Sequence, residues 1–371
     1  MAGLSQKGCE MKAWQLTRLG GELRYVDRPV PEVRAGGVLV KMQMSGVMSY
    51  MRQYVNGELP VYQVPSQPFI PGSNGVGIVE AVGADVWHLR PGQRVVVSSH
   101  FVAGENVREP AQILIGVTAG SGEGRAMQAS WPDGTLADYA LLPASTLTPV
   151  EDVDGAASPD ARTLVLASRF VVPMGGMLRG RLAVGETVVV SGATGAYGGA
   201  AALLALALGA ARVVAVGRNA EALQALASHG DGRIVPVATT GDVPRDVAAI
   251  RAAAGAPIDL AFDMVGNARD PAMTLAALRC LGRGGRLVLM GSMSVDLPVP
   301  YTELMLNDWE ILGQFMYPRD AWQRLLRLLA MGTLRIDALE ADIYPIADLE
   351  TAIDRAAQAS GLAYVLIDHR S

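Results

Sequence analysis

Residues 191–199 read Ser-Gly-Ala-Thr-Gly-Ala-Tyr-Gly-Gly, directly after the apolar run Thr-Val-Val-Val of residues 187–190. Gly192, Gly195 and Gly198 form a Gly-x-x-Gly-x-x-Gly pattern. In a strand–turn–helix, Gly192 permits the tight turn and Gly195 lets an anion approach the backbone. Gly198 or Gly199 lets the helix pack close to the sheet. Free N–H groups and the dipole at the helix start then favour a pyrophosphate. The loop, with Thr194, Ala196 and Tyr197, reads as a dinucleotide cradle. The next apolar run ends Val216-Gly217-Arg218-Asn219. A site for an unphosphorylated ribose carries Asp or Glu here, to accept from the 2′-hydroxyl. Gly217 stands in that place and Arg218 follows it. A guanidinium fork suits a 2′-phosphate, so the expected cofactor is NADPH. Val265, Gly266, Gly291 and Ser292 follow later strands and are expected to line the same cofactor.

These residues need a scaffold, and the patterning supplies one. Apolar runs at 187–190, 212–216, 234–237, 258–262, 286–290 and 310–315 alternate with helical stretches at 198–208, 220–229, 244–254 and 271–281. Asn219 is the expected N-cap and Gly230 the stop of the second helix. Strict alternation with near-continuous apolar strands predicts an α/β, doubly wound, six-stranded parallel sheet. Residues 11–144 differ. Short β-branched runs at 38–42, 77–82 and 94–98, punctuated by Pro and Gly, predict a compact, partly open β-barrel. A linking helix is expected at 160–167. Helices at 321–331 and 348–357 and a strand at 362–367 are expected to rejoin the barrel. The predicted division is 1–157 with 317–371, against 158–316.

Composition narrows the chemistry. The chain has 371 residues, half of them hydrophobic and 18% charged, with net charge −5. It carries no basic block, so nucleic acid is not an expected partner. Cys9 and Cys280 make neither a disulfide framework nor a four-cysteine zinc site. No two of His88, His100, His229 and His369 have helical metal-ligand spacing. Only Lys7, Lys12 and Lys41 are available for Schiff-base chemistry. Residues 1–10 are polar and read as a frayed tail. The Ala/Leu run at 200–211 is too short to span a bilayer, so no membrane partner and a cytoplasmic location are expected.

The segments Met11-Lys-Ala-Trp, Pro71-Gly-Ser-Asn-Gly-Val-Gly-Ile-Val-Glu80, Pro91-Gly-Gln-Arg-Val95, Gly185-Glu-Thr-Val-Val-Val-Ser-Gly-Ala-Thr-Gly195 and Leu281-Gly-Arg-Gly-Gly-Arg-Leu-Val-Leu-Met-Gly291, in this order, resemble the medium-chain dehydrogenase/reductase superfamily. The resemblance covers nearly the whole chain. It implies a GroES-like barrel, a Rossmann domain, hydride transfer at a nicotinamide in the cleft between them, and a homodimer joined near residues 310–315. It sets Met48 and Pro173 beside the nicotinamide.

The departures matter as much. Zinc members have Gly-Val-Cys-His where this chain reads Gly46-Val-Met48-Ser49, and Gly-His-Glu where it reads Gly72-Ser73-Asn74. Their third ligand falls near Arg169 or Phe170, and their cysteine-rich lobe becomes the cysteine-free stretch 100–127. A thioether and hydroxyls do not hold Zn²⁺. A zinc-free enzyme is expected, similar to quinone oxidoreductases and enoyl or enone reductases, although the polar motif common after their third strand is missing from residues 49–54. Tyr50 is the expected proton donor. Ser49 and Asn74 are expected to orient a substrate carbonyl. Met42, Met44, Met48, Met51, Met174, Met177 and Met293 suggest an apolar pocket for a hydrophobic small molecule. The leading reading is reduction of an activated C=C bond or a quinone. The alternatives are a zinc-free carbonyl or imine reductase, and an NADPH-binding protein that has lost catalysis along with its metal ligands.

Overall fold

The computed structural model describes residues 10–120, 122–151 and 158–371. Of the expected frayed tail at 1–10, residues 1–9, with Cys9, lie outside the described residues, while Glu10 opens the strand Glu10–Leu16; residue 157 at the expected boundary also lies outside them. Two compact units divide the chain: Met1–Ser168 with Ala341–Ala359 and Tyr364–Ser371, and Arg169–Glu340 with Ser360–Ala363.

The second unit holds the predicted parallel sheet. Its strand order is Ile234–Ala238, Arg212–Gly217, Thr187–Ser191, Leu260–Asp263, Arg286–Leu289, Glu310–Gly313. The order reverses beside the first strand in sequence, which is the switch point where doubly wound sheets bind ligands. Val188, Val189, Val190, Val213 and Val214 are fully buried because helices cover both faces. Helices Ala196–Ala207, Ala220–Ala227, Val243–Ala254 and Ala272–Arg279 lie between the strands in the chain. Asn219 caps the second of these, its side chain accepting from Ala222 N at 3.1 Å.

The linking helix departs from expectation. It runs Ala161–Arg179, opened by Asp160, whose carboxylate accepts from Thr163 N at 2.7 Å. Pro173, Gly175 and Gly176 argue locally for an earlier end, but packing overrides them. A Cβ on Gly175 would lie 2.2 Å from Met316 O, and one on Gly176 would lie 2.2 Å from the Phe262 ring. These glycines let the helix approach its neighbours closely, a gain that outweighs their poor propensity. The two compact units meet inside this helix, at Ser168/Arg169. The tail is also corrected. Helix Leu349–Gln358 and most of strand Ala363–Asp368 join the first unit, whereas helix Ala321–Ala330 and residues 360–363 belong to the second.

The first unit is a seven-stranded sheet. Its order is Leu147–Pro149, Arg94–Val97, Gly75–Val82, Gly37–Gly46, Ala363–Asp368, Glu340–Pro345, and Tyr139–Pro143 also pairs with Gly37–Gly46. Register shifts at Leu39/Val40 and Met42/Met44 bend the central pair, as bulges do in closing sheets. The hairpin Glu10–Leu16/Leu23–Pro29 and the small sheet of His100–Val102, Gln112–Leu114 and Thr118–Ala119 went unpredicted, being too short or too polar to show a period. Among the described residues, no helix is long and apolar enough to cross a membrane.

Candidate active site

The glycine loop sits at the C-terminal edge of the parallel sheet. Gly192 has φ +74, and a Cβ there would lie 2.9 Å from Met264 O. A Cβ on Gly198 would lie 2.0 Å from Gly192 O, closer than any side chain permits. Gly195 is different. It is exposed, and a Cβ there would meet only Gly192 O, at 3.3 Å. Two of the glycines thus shape the turn, and Gly195 leaves its outer side open. Helix Ala196–Ala207 begins at once, with no side chain capping its first N–H groups. An open glycine above free N–H groups fits a pyrophosphate.

The other predicted cofactor residues gather at the same edge. Gly217 ends the neighbouring strand, and Arg218 beyond it is exposed. The loops after the fourth and fifth strands are laced together. Ser292 N donates to Val265 O at 2.9 Å, Asn267 N donates to Ser292 Oγ at 2.8 Å, and a Cβ on Gly291 would lie 2.5 Å from Val265 O. Val265, Gly266, Gly291 and Ser292 are therefore one surface. Pro173 is buried within its helix.

Three residues of this edge were missed. Arg169 is only 7% exposed, and its guanidinium lies 5.1 Å from the Tyr197 ring centroid, fixing that ring in the first turn of the loop helix. Asp263 is buried at the end of the fourth strand. Burial pushes its carboxyl up to about 6, against the lowering effect of hydrogen bonds from Val265 N and Thr274 Oγ1. Gly361 N donates to Thr194 O at 3.1 Å, so a segment far along the chain pins the loop. None of the three has a local sequence signal, because each depends on a partner distant in the chain.

The first unit carries the predicted catalytic residues. Met48 is buried, and Ser49 and Tyr50 form the half-buried turn into the short helix Met51–Val55. The Tyr50 ring lies 6.1 Å from that of Tyr62, at the edge of an apolar cluster. Ser45 pairs with Gly75, and Asn74 O accepts from Gly46 N at 3.3 Å, so the 46–50 turn and Asn74 share one end of the sheet. The Asn74 side chain faces Ser99 N at 3.5 Å. Arg52 is held by Glu350 and Asp354. Met42, Met44, Met51, Met174 and Met177 are core residues. Packing claims them, and they no longer speak for an apolar substrate pocket.

The residues at the family's metal positions do not fit zinc. Met48, Ser73, Asn74, Arg169 and Phe170 offer no imidazole, thiolate or carboxylate. Among the described residues, no group of three His, Cys, Asp or Glu side chains converges to hold a metal ion. The stretch 100–127 forms its small sheet and the start of helix Gly122–Ser130 without cysteine.

A doubly wound sheet with this glycine loop, accompanied by a bulged seven-stranded sheet, defines a Rossmann-type dehydrogenase architecture. Family profiles match both parts: an alcohol dehydrogenase GroES-like domain over residues 34–152, and a zinc-binding dehydrogenase over residues 196–331. Together they cover more than half the chain, which belongs to the medium-chain dehydrogenase/reductase superfamily of oxidoreductases. The chain is 29% identical to the L-threonine 3-dehydrogenase of Anaeromyxobacter sp. (strain K), over 88% of this chain and 90% of that one. It is 29% identical to an alcohol dehydrogenase of Moraxella sp. (strain TAE123), over 97% and 99%. A short chain alcohol dehydrogenase of E. coli CFT073, complexed with NADH, superposes with TM-score 0.79 at 20% identity, over 97% of this chain and 100% of that one. These relatives are dehydrogenases by name and not quinone or enone reductases.

Proposed function

We propose that this protein is an NADPH-dependent, zinc-independent reductase of a conjugated C=C bond or a quinone. The observation that carries the reading is the donor set at the family's metal positions, which has no ligand for Zn²⁺. The dinucleotide, when bound, supplies the hydride. The exposed side of Gly195 and the N–H groups of the loop helix bind its pyrophosphate, and Arg218 binds the 2′-phosphate. The Val265–Ser292 surface walls the cofactor.

Reduction of a plain ketone places full charge on one oxygen and needs a Lewis acid or a strong proton donor. Addition to an enone instead spreads charge over an enolate, which a few hydrogen bonds stabilise. Ser49 and Asn74 orient the carbonyl, and Tyr50 delivers the proton. A second reading, zinc-free carbonyl or imine reduction with Tyr50 as acid, draws support from the alcohol dehydrogenases among the relatives.

The chain also pairs as a homodimer in this reading. Strand Glu310–Gly313 ends the sheet order, and Val295, Val299, Tyr301, Met305, Leu306 and Phe315, close to it in the chain, are exposed.

The test is turnover with NADPH and with NADH on quinones, enones, ketones and cyclic imines, with a chelator present. Chelator-resistant NADPH oxidation on enones or quinones is expected, with kcat falling about 100-fold in Tyr50→Phe. Alcohol or amine products would establish the second reading. Inactivation by chelator would overturn the zinc-free assignment.

A further inference from the structure

Thr194 and Gly217 confront each other at the mouth of the glycine loop. A Cβ on Gly217 would lie 2.9 Å from Thr194 Cγ2 and 3.2 Å from its Oγ1. The first distance is shorter than carbon atoms tolerate without displacement. The backbones of both are held in place. Thr194 O accepts from Gly361 N at 3.1 Å, while the flanking Ala193 N and Gly195 N donate to Val216 O at 3.0 Å and Gly192 O at 2.9 Å. A β-branched side chain has few χ1 settings. Gly217 O accepts from Thr239 N at 2.9 Å and from Thr239 Oγ1 at 3.3 Å. On its remaining side, Leu223 Cδ2 would lie 3.5 Å from the added Cβ.

We propose that Thr194 is a specificity-determining residue for the cofactor. Its side chain occupies the room that any side chain at 217 needs. The loop thereby bars the carboxylate that would accept from a ribose 2′-hydroxyl. Glycine at 217 is imposed by Thr194, and Arg218, exposed one residue further on, is the group left to meet the adenosine ribose. Cofactor choice is built into the loop at a position whose own chemistry has nothing to do with the 2′ substituent. The inference rests on the dinucleotide reading of this site and adds the residue that enforces its preference.

The test is a double-mutant cycle on cofactor affinity, read by the fluorescence of bound NADPH and NADH on the full chain. Gly217→Ala adds the Cβ and no charge. It is expected to weaken both cofactors about tenfold beside Thr194 and to lose most of that effect in the Thr194→Gly background. Gly217→Asp alone is expected to bind neither cofactor well, and the pair Thr194→Gly/Gly217→Asp to bind NADH about tenfold more tightly than Gly217→Asp alone. Equal losses in both backgrounds, or an Asp variant that binds NADH equally well with Thr194 in place, would overturn the proposal. Thermal unfolding of each variant separates misfolding from lost affinity. Thr194→Ser, which removes only the nearer methyl, provides a milder second background. A parent protein that prefers NADH would remove the NADPH assignment, yet the alanine cycle would still decide whether Thr194 and Gly217 are coupled.

Discussion

His369 shows how much a single side chain takes from its surroundings. Its Nε2 lies 2.8 Å from Ser45 Oγ, 324 residues away in sequence. Desolvation holds the imidazole down at about 4, against the raising effects of a backbone hydrogen bond to Ala137 and of the Asp368 charge. The folded value is below the ordinary one, so the fold favours the neutral ring. That stability is complete above about pH 6.5 and is lost as the pH falls through 4. His369→Gln is expected to flatten this loss, by about 2 kcal/mol across the window. Urea unfolding of parent and variant at pH 7 and pH 4.5 measures it, and a parallel pH response in the two would refute the assignment. Asp263 works in the opposite sense. Its carboxyl is raised to about 6, so its contribution is full below about pH 4 and declines as the pH rises through 6. Comparing variant with parent cancels that slope.

At the scale of the element, the glycine loop divides shape from binding. Gly198 has backbone where a Cβ would go, whereas a Cβ on Gly195 would meet one backbone oxygen, Gly192 O, at 3.3 Å. Gly198→Ala is expected to destabilise the fold by about 2 kcal/mol through overpacking. Gly195→Ala is expected to leave the melting temperature close to the parent's and to weaken NADPH binding. Calorimetric melting and a binding titration on both variants test this division, and equal losses of stability would contradict it. Helix Ala161–Arg179 makes a related point. Its Pro and two glycines look like a stop in the sequence, but close packing on Phe262 and Met316 keeps it helical.

At the scale of the whole molecule, the proposed homodimer would cover the end strand Glu310–Gly313 and the exposed Tyr301, Met305 and Leu306. Light scattering after gel filtration is expected to give a dimer. Leu306→Asp is expected to shift it toward monomer by placing a charge in the covered face. A monomeric parent protein at micromolar concentration would dismiss the interface.

Much of the molecule was legible in the chain itself. The six parallel strands, the Asn219 cap and the turn glycines could be read because periodicity, capping and φ preference are local properties. The mismatch of Met48, Ser73 and Asn74 with zinc was equally plain, since ligand chemistry belongs to the residue type. The unit boundary inside a helix, the lacing of Val265 to Ser292, the stacking of Arg169 on Tyr197 and the pinning of Thr194 by Gly361 were not legible. Each joins residues that meet only when distant segments pack. The confrontation of Thr194 with Gly217 is of the same kind. The sequence supplies a threonine and a glycine 23 positions apart, and only the parallel pairing of strand Thr187–Ser191, which leads into the loop, with strand Arg212–Gly217 brings the two into the same few ångströms.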